Sequence, residues 1–143
     1  MILNIVADDF GISFERNKGI IETLEKGIVT HISLMANCDK SSTDAVELFK
    51  KGGYNNNIIG LHLNLTEGLS LYAKTKLYGK MGIYDLFLNK EVKERDTNRI
   101  KREIIAQIDW FIDKLGFTPS FLNGHQHVQT IPIIADILIK ILK

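Results

Sequence analysis

The sequence is poor in cysteine. Cys38 is the single thiol, so no internal disulfide can form and a reducing compartment is the default. No motif surrounds it, and it reads as a small buried or half-buried residue rather than a reactive thiol. Charge of one sign is also lacking. Lys and Arg total 18 against 17 Asp and Glu, for a formal net charge of +1, and the two signs are interspersed. That balance argues against a nucleic-acid-binding face or attraction to an anionic membrane. Long apolar runs are missing as well. The most apolar stretch, Ile131 to Leu142, is too short and too polar-spotted to span a bilayer. No basic region precedes the apolar stretch after Met1, and Asp8 and Asp9 interrupt it, which is not a signal-peptide pattern. These absences predict a soluble, cytoplasmic protein without nucleic-acid or membrane partners. There is no internal repeat, low-complexity tract or convincing domain boundary. At 143 residues with 45% hydrophobic content the chain can bury a core, and residues 1–143 read as one domain.

Apolar patterning predicts alternating strands and helices. Ile2 to Ala7 reads as a short, fully buried strand ended by two carboxylates. A helix follows from about Phe14 to Lys26, with Ser13 as N-cap and Gly27 just past its end. Val29 to Met35 is a second strand, and Ser41 with Asp44 forms a capping-box pattern opening a second helix that stops at Gly52-Gly53. After a turn at Asn55 to Asn57, Ile58 to Leu65 is a third strand with Gly60 inside it. Thr66 to roughly Asn98 is an excursion with a short helix near Ile83 to Leu88; so long a connection is more often functional than idle. Ile100, Ile104, Ile105, Ile108, Phe111, Ile112 and Leu115 recur at helical spacing, and Gly116 ends that helix. Phe117 to Leu122 is a fourth strand entered through Pro119. Asn123 to Thr130 is a polar loop, and Ile131 to Leu142 is a closing helix with Pro132 in its first turn. This alternation predicts an α/β fold with a parallel sheet.

In such folds functional groups gather at the C-terminal ends of the strands. Three polar clusters fall there: Asp8-Asp9, His62 within Gly60 to Gly68, and His125 with His127 in Asn123-Gly-His-Gln-His. Each has a plain alternative: a helix-capping turn, a satisfied core histidine, a solvated loop. Together they predict one polar site. Two imidazoles and a carboxylate suit a divalent metal. Adjacent carboxylates allow one to bind the ion while its neighbour accepts a proton from water. His31 stands at the start of a strand and reads as structural or surface. Asn64 and Glu67 lie near His62 and could orient ligands or substrate.

Four segments together resemble the YdjC-like family of carbohydrate deacetylases, which includes chitooligosaccharide deacetylases. They are Ala7-Asp-Asp-Phe-Gly11, Val29-Thr-His-Ile-Ser-Leu-Met-Ala-Asn37, Gly60-Leu-His-Leu-Asn-Leu-Thr-Glu-Gly68, and Asn123-Gly-His-Gln-His-Val128 followed by Pro132. The resemblance implies a deformed (β/α) barrel and one divalent metal ion, magnesium or zinc. It implies hydrolysis of an N-acetyl group on an amino sugar or short oligosaccharide. Carried over by position, Asp9, His62 and His125 would hold the metal, Asp8 would be the general base, and His127 an auxiliary catalytic group. Gln129 departs from the family, which often has a histidine there. Family members also run on well past the position of Lys143. The resemblance therefore implies an incomplete barrel with an open sheet edge, self-association, and little activity for this length alone. Two rival readings stay open: another metal hydrolase on a similar barrel, such as a phosphoesterase, and a non-catalytic metal- or sugar-binding fragment.

Overall fold

A computed structural model describes residues 3–78 and 94–142. Four strands, β1 (Val6–Phe10), β2 (His31–Leu34), β3 (Ile59–Leu63) and β4 (Leu122–Gly124), pair in parallel in the order β1-β2-β3-β4. Helix α1 (Phe14–Glu25) joins β1 to β2, and α2 (Asp39–Gly52) joins β2 to β3. Helix α3 (Glu94–Leu115) precedes β4, and α4 (Pro132–Ile141) follows it. The fold is the expected α/β class with a parallel sheet. The sheet is not closed: among the described residues β1 and β4 are its two edges, as in an incomplete barrel. The short helix expected near Ile83 to Leu88 lies outside the described residues.

Several element ends obey local chemistry. Ser13 caps α1, its hydroxyl accepting from Arg16 N at 3.2 Å, and Gly27 and Gly53 take left-handed backbone after α1 and α2. The capping box at Ser41 does not form. Helix α2 starts two residues earlier, at Asp39, and Ser42 Oγ instead accepts from Cys38 N at 2.9 Å.

Two strands differ from expectation. β1 starts later than Ile2, at Val6, and is an edge strand, not a fully buried one: Val6 is 39% exposed, and Leu3 and Ile5 before it are exposed too. An apolar run reads alike for both cases. It also extends through Asp8 and Asp9, so the carboxylates lie in the strand rather than after it. β4 comes later and is shorter than Phe117 to Leu122. The approach to it is irregular but bonded, with Ser120 N donating to Ile59 O and Leu61 N to Phe121 O. Gly60 permits that approach, since a Cβ there would lie 2.6 Å from the Phe121 carbonyl oxygen and ring.

The two faces of the sheet differ in chemistry. The rungs Ile32–Ile59 and Leu34–Leu61–Leu122 present hydrocarbon on one side. Helices cover it: Ile20, Val46, Phe49 and Phe111 join Ile32, Leu34, Ile59 and Leu61 in one cluster. Ile100, Ile104, Ile134 and Leu138 close a second cluster over Leu63 and Leu65. Because side chains alternate along a strand, the intervening rungs Ser33–Gly60 and His62–Asn123 point the other way. That face is small and polar, and the candidate site stands on it.

Candidate functional site

Adjacent strand residues normally point to opposite faces, yet Asp8 and Asp9 serve one site. A β-bulge makes this possible. Ala7 pairs with Ile32 and Phe10 with Leu34, so Asp8 and Asp9 together stand opposite the single Ser33. Asp9 takes a left-handed φ of 65°. Aspartate tolerates that region better than most residues, at a cost of about 1–3 kcal/mol. The chain then turns at Gly11, whose φ of +108° and 2.8 Å Cβ approach to Met35 O leave no room for a side chain. Buried Asn17 clamps the turn, accepting from Gly11 N at 2.6 Å and donating to Ser41 O at 2.9 Å.

His62 is held by the ladder itself. It is 2% exposed, and its Nδ1 lies 2.7 Å from Oδ1 of its cross-strand partner Asn123. An amide oxygen only accepts, so Nδ1 carries the proton and Nε2 presents its lone pair. Nε2 faces Asp9 Oδ1 at 3.2 Å. Ser33 Oγ donates to Asn123 Oδ1, and the Asn123 amide donates to Asp8 Oδ1 at 2.7 Å. One asparagine thus sets the His62 tautomer and fixes the Asp8 carboxylate, which is half-exposed.

His125 comes from a different structure, the short 3-10 segment His125–Thr130. Its Nδ1 stands 2.8 Å from Asp9 Oδ1. Its Nε2 lies 3.3 Å from Glu67 Oε1, in ion-pair range, yet the alignment makes no hydrogen bond and Nε2 is a buried atom lacking one. The next two residues, Gln126 and His127, both adopt left-handed backbone at φ 53° and 58°. His127 is exposed, and its ring makes no hydrogen bond or ion pair with Asp8, Asp9, His62 or His125. Sequence position places it beside the cluster, and its exposed ring makes no bond within it.

One ligand atom each from Asp9, His62 and His125 falls within 4.8 Å of the others. Ligands about 2.0–2.1 Å from a tetrahedral zinc stand roughly 3.3 Å apart. The 3.2 Å and 2.8 Å separations of Asp9 Oδ1 from the two ring nitrogens are close to that edge length. The donor set therefore fits a divalent ion in its chemistry, and its atoms gather closely enough to meet one ion. Arg16 reaches Asp9 Oδ2 at 3.7 Å from an exposed position. Cys38, nearby, has its thiol pushed up to about 11 by burial, which leaves it protonated and inert at neutral pH.

Sequence reading left Asn123 and Ser33 without roles, although both lie in quoted motifs. The usable signal was strand parity, which aligns them with His62. It also left open whether Asn64 meets substrate. Asn64 is fully buried and structural: its side chain accepts from Thr66 N and Glu67 N and donates to Glu67 O and Asn37 Oδ1. Gln107 brackets its backbone, accepting from Asn64 N and donating to Asn64 O at 2.7 Å. Buried Glu103 accepts from Leu71 N, Tyr72 N and Gln107 Nε2. Glu103 and Gln107 stand on the apolar stripe of α3 between Ile100 and Phe111. That interruption was readable as a buried polar network. His31 is structural as expected, bonded to Thr30 Oγ1 and packed edge-on to Phe121.

Fold and site together define a parallel α/β protein with a carboxylate–imidazole cluster on the polar face of its sheet. The profile of the YdjC-like protein family matches residues 2–143. The chain belongs to that family. It is 32% identical to the carbohydrate deacetylase of Homo sapiens over 100% of this chain and 46% of that protein. It is 33% identical to the chitooligosaccharide deacetylase of Yersinia enterocolitica, over 96% of this chain and 54% of that one. The chain thus spans about half the length of the curated relatives it matches. A solved Enterococcus faecalis protein with a proposed role in cellobiose-phosphate cleavage superposes with a TM-score of 0.74 at 20% identity, over 96% of this chain and 54% of that one. This likeness supports the fold. Among the described residues no helix is long and apolar enough to cross a membrane.

Proposed function

We propose that this chain carries the metal-binding and proton-accepting groups of a carbohydrate N-deacetylase, a hydrolase that removes acetyl groups from amino sugars or short chitooligosaccharides. The observation that carries the reading is the convergence of Asp9, His62 and His125, with Asp8 alongside, in a chain whose relatives are carbohydrate deacetylases. One divalent ion, magnesium or zinc, would be held by Asp9, His62 and His125, and when bound it supplies Lewis-acid polarisation of the amide carbonyl. Asp8 is the general base. Its carboxylate is half-exposed, held by Asn123, and accepts a proton from the attacking water. His62 and Asp9 keep their geometry because ladder and bulge position them before substrate arrives. The leaving amine needs a proton. His127, exposed two residues from His125, is the donor we assign to that step as an auxiliary group.

A groove of about 790 Å³ runs along α2 from Asp39 to Lys51 beside half-exposed Phe14, and Asp8, Asp9, His62 and His125 do not line it. The same reading places the protein in the cytoplasm, in keeping with its lone thiol. The experiment is metal analysis of the purified chain together with acetate release from short N-acetylglucosamine oligomers. One bound metal with weak acetate release from this length alone is the expected result. Bound metal without acetate release would favour a metal-binding module, and no bound metal would overturn the reading.

A further inference from the structure

We infer that Glu67 is the positioning residue of His125: with a metal bound, its carboxylate accepts from the imidazole nitrogen turned away from Asp9, so that the other nitrogen faces the metal position. The inference rests on the metal-centre reading above. The two histidines are built asymmetrically. In His62 one nitrogen faces Asp9 and the other is held by Asn123 Oδ1 at 2.7 Å. In His125 Nδ1 faces Asp9 at 2.8 Å, and the group opposite Nε2 is Glu67 Oε1 at 3.3 Å. A neutral imidazole that gives Nδ1 to a cation must carry its proton on Nε2. That atom is buried and lacks a hydrogen bond, and Glu67 is the acceptor beside it. Histidine ligands commonly donate their second N–H to a carboxylate in this way, which fixes the ring and raises its basicity.

The surrounding chain is built to present this carboxylate. Asn64, fully buried, grips both the N–H and the carbonyl of Glu67, at 3.0 Å and 2.9 Å. Gln107 in turn fixes Asn64 from α3. The Glu67 side chain itself is 51% exposed, so the anchoring acts on its backbone and leaves the carboxylate at the rim. Gln126 Nε2 also donates to Glu67 Oε1, at 3.3 Å, tying the carboxylate to the His125 loop. Asn64 serves as scaffold, and Glu67 is the group it delivers.

The test is calorimetric titration of Zn²⁺ into the 143-residue chain and its variants Glu67→Ala, Glu67→Gln, His125→Ala and the Glu67→Ala/His125→Ala double variant. Glu67→Ala is expected to weaken Zn²⁺ binding about 10–100-fold. Glu67→Gln, which keeps an acceptor oxygen, is expected to recover most of that loss. Metal-free melting temperatures should match wild type for both, because the Glu67 side chain is half-exposed. In the His125→Ala background the Glu67→Ala change should add nothing. Wild-type affinity in Glu67→Ala, or an equal loss with and without His125, would overturn the inference alone. A wild-type chain that binds no Zn²⁺ would overturn the metal-centre reading and this inference with it.

Discussion

His62 and His125 present a nitrogen to the same carboxylate oxygen, and they are held by opposite means. His62 sits in a regular parallel ladder, almost fully buried, with its tautomer set by a cross-strand amide. His125 sits at the start of a 3-10 segment that continues through two left-handed residues, and one of its ring nitrogens is buried without a hydrogen bond. A strand position is fixed by the whole sheet. A loop position depends on a few local contacts. The first should be robust and the second tunable, and it is at the second that loops of related proteins can vary chemistry on a constant scaffold.

The largest effect is expected where neither histidine is touched. Asp8→Asn should lower turnover about 10²–10⁴-fold while metal content stays at the wild-type level, because the amide keeps the shape but cannot accept the proton. Steady-state acetate release with parallel metal analysis reads both quantities. Loss of metal in Asp8→Asn with retention in Asp9→Asn would exchange the two roles.

The comparison between the histidines is tested next. His62→Ala and His125→Ala should each weaken Zn²⁺ binding at least about tenfold, more than the loss typical of ligand-supporting residues at the low end. A metal-free melting curve should separate them. His62→Ala opens a cavity in the buried ladder and lowers the melting temperature, whereas His125→Ala changes it little. Equal melting losses would erase the distinction between ladder and loop. Asn123→Ala sharpens it further. It should cost about 10–100-fold in metal affinity by freeing the His62 tautomer, with the His125 side of the site unchanged. Wild-type affinity in Asn123→Ala would show that the strand alone orients His62.

The smallest effect concerns the bulge. Gly11→Ala forces a Cβ to within 2.8 Å of Met35 O at a φ of +108°. It should destabilise the fold by about 1–3 kcal/mol, read as a lower urea midpoint with an unchanged slope. No change in midpoint would mean that the turn after Asp9 relaxes freely.

What was legible in the sequence follows the same division. The α/β alternation, helix ends at Ser13, Gly27 and Gly53, and the placing of Asp9, His62 and His125 at one end of the sheet depend on short-range chemistry and on strand parity. Both are written in consecutive residues. The apolar run of β1 could not reveal an edge strand, because burial of its outer side depends on what else pairs there. The bulge at Asp8-Asp9 was hidden because it is a mismatch between two strands, visible only once Ala7 and Phe10 are aligned with Ile32 and Leu34. The position of β4 was missed because Phe117 to Leu122 is the more apolar stretch. The ladder forms around Asn123, whose value lies in its bonds to His62, Asp8 and Ser33. Gln126 and His127 take left-handed backbone, a conformation that residue type alone does not announce.

The most direct test of the central claim is metal stoichiometry. The wild-type chain, stripped of metal and dialysed against Zn²⁺, should retain one equivalent, and His62→Ala, His125→Ala and Asp9→Ala should each retain markedly less under the same conditions. Wild-type retention near zero, or one equivalent kept by all three variants, would contradict a metal centre built from Asp9, His62 and His125.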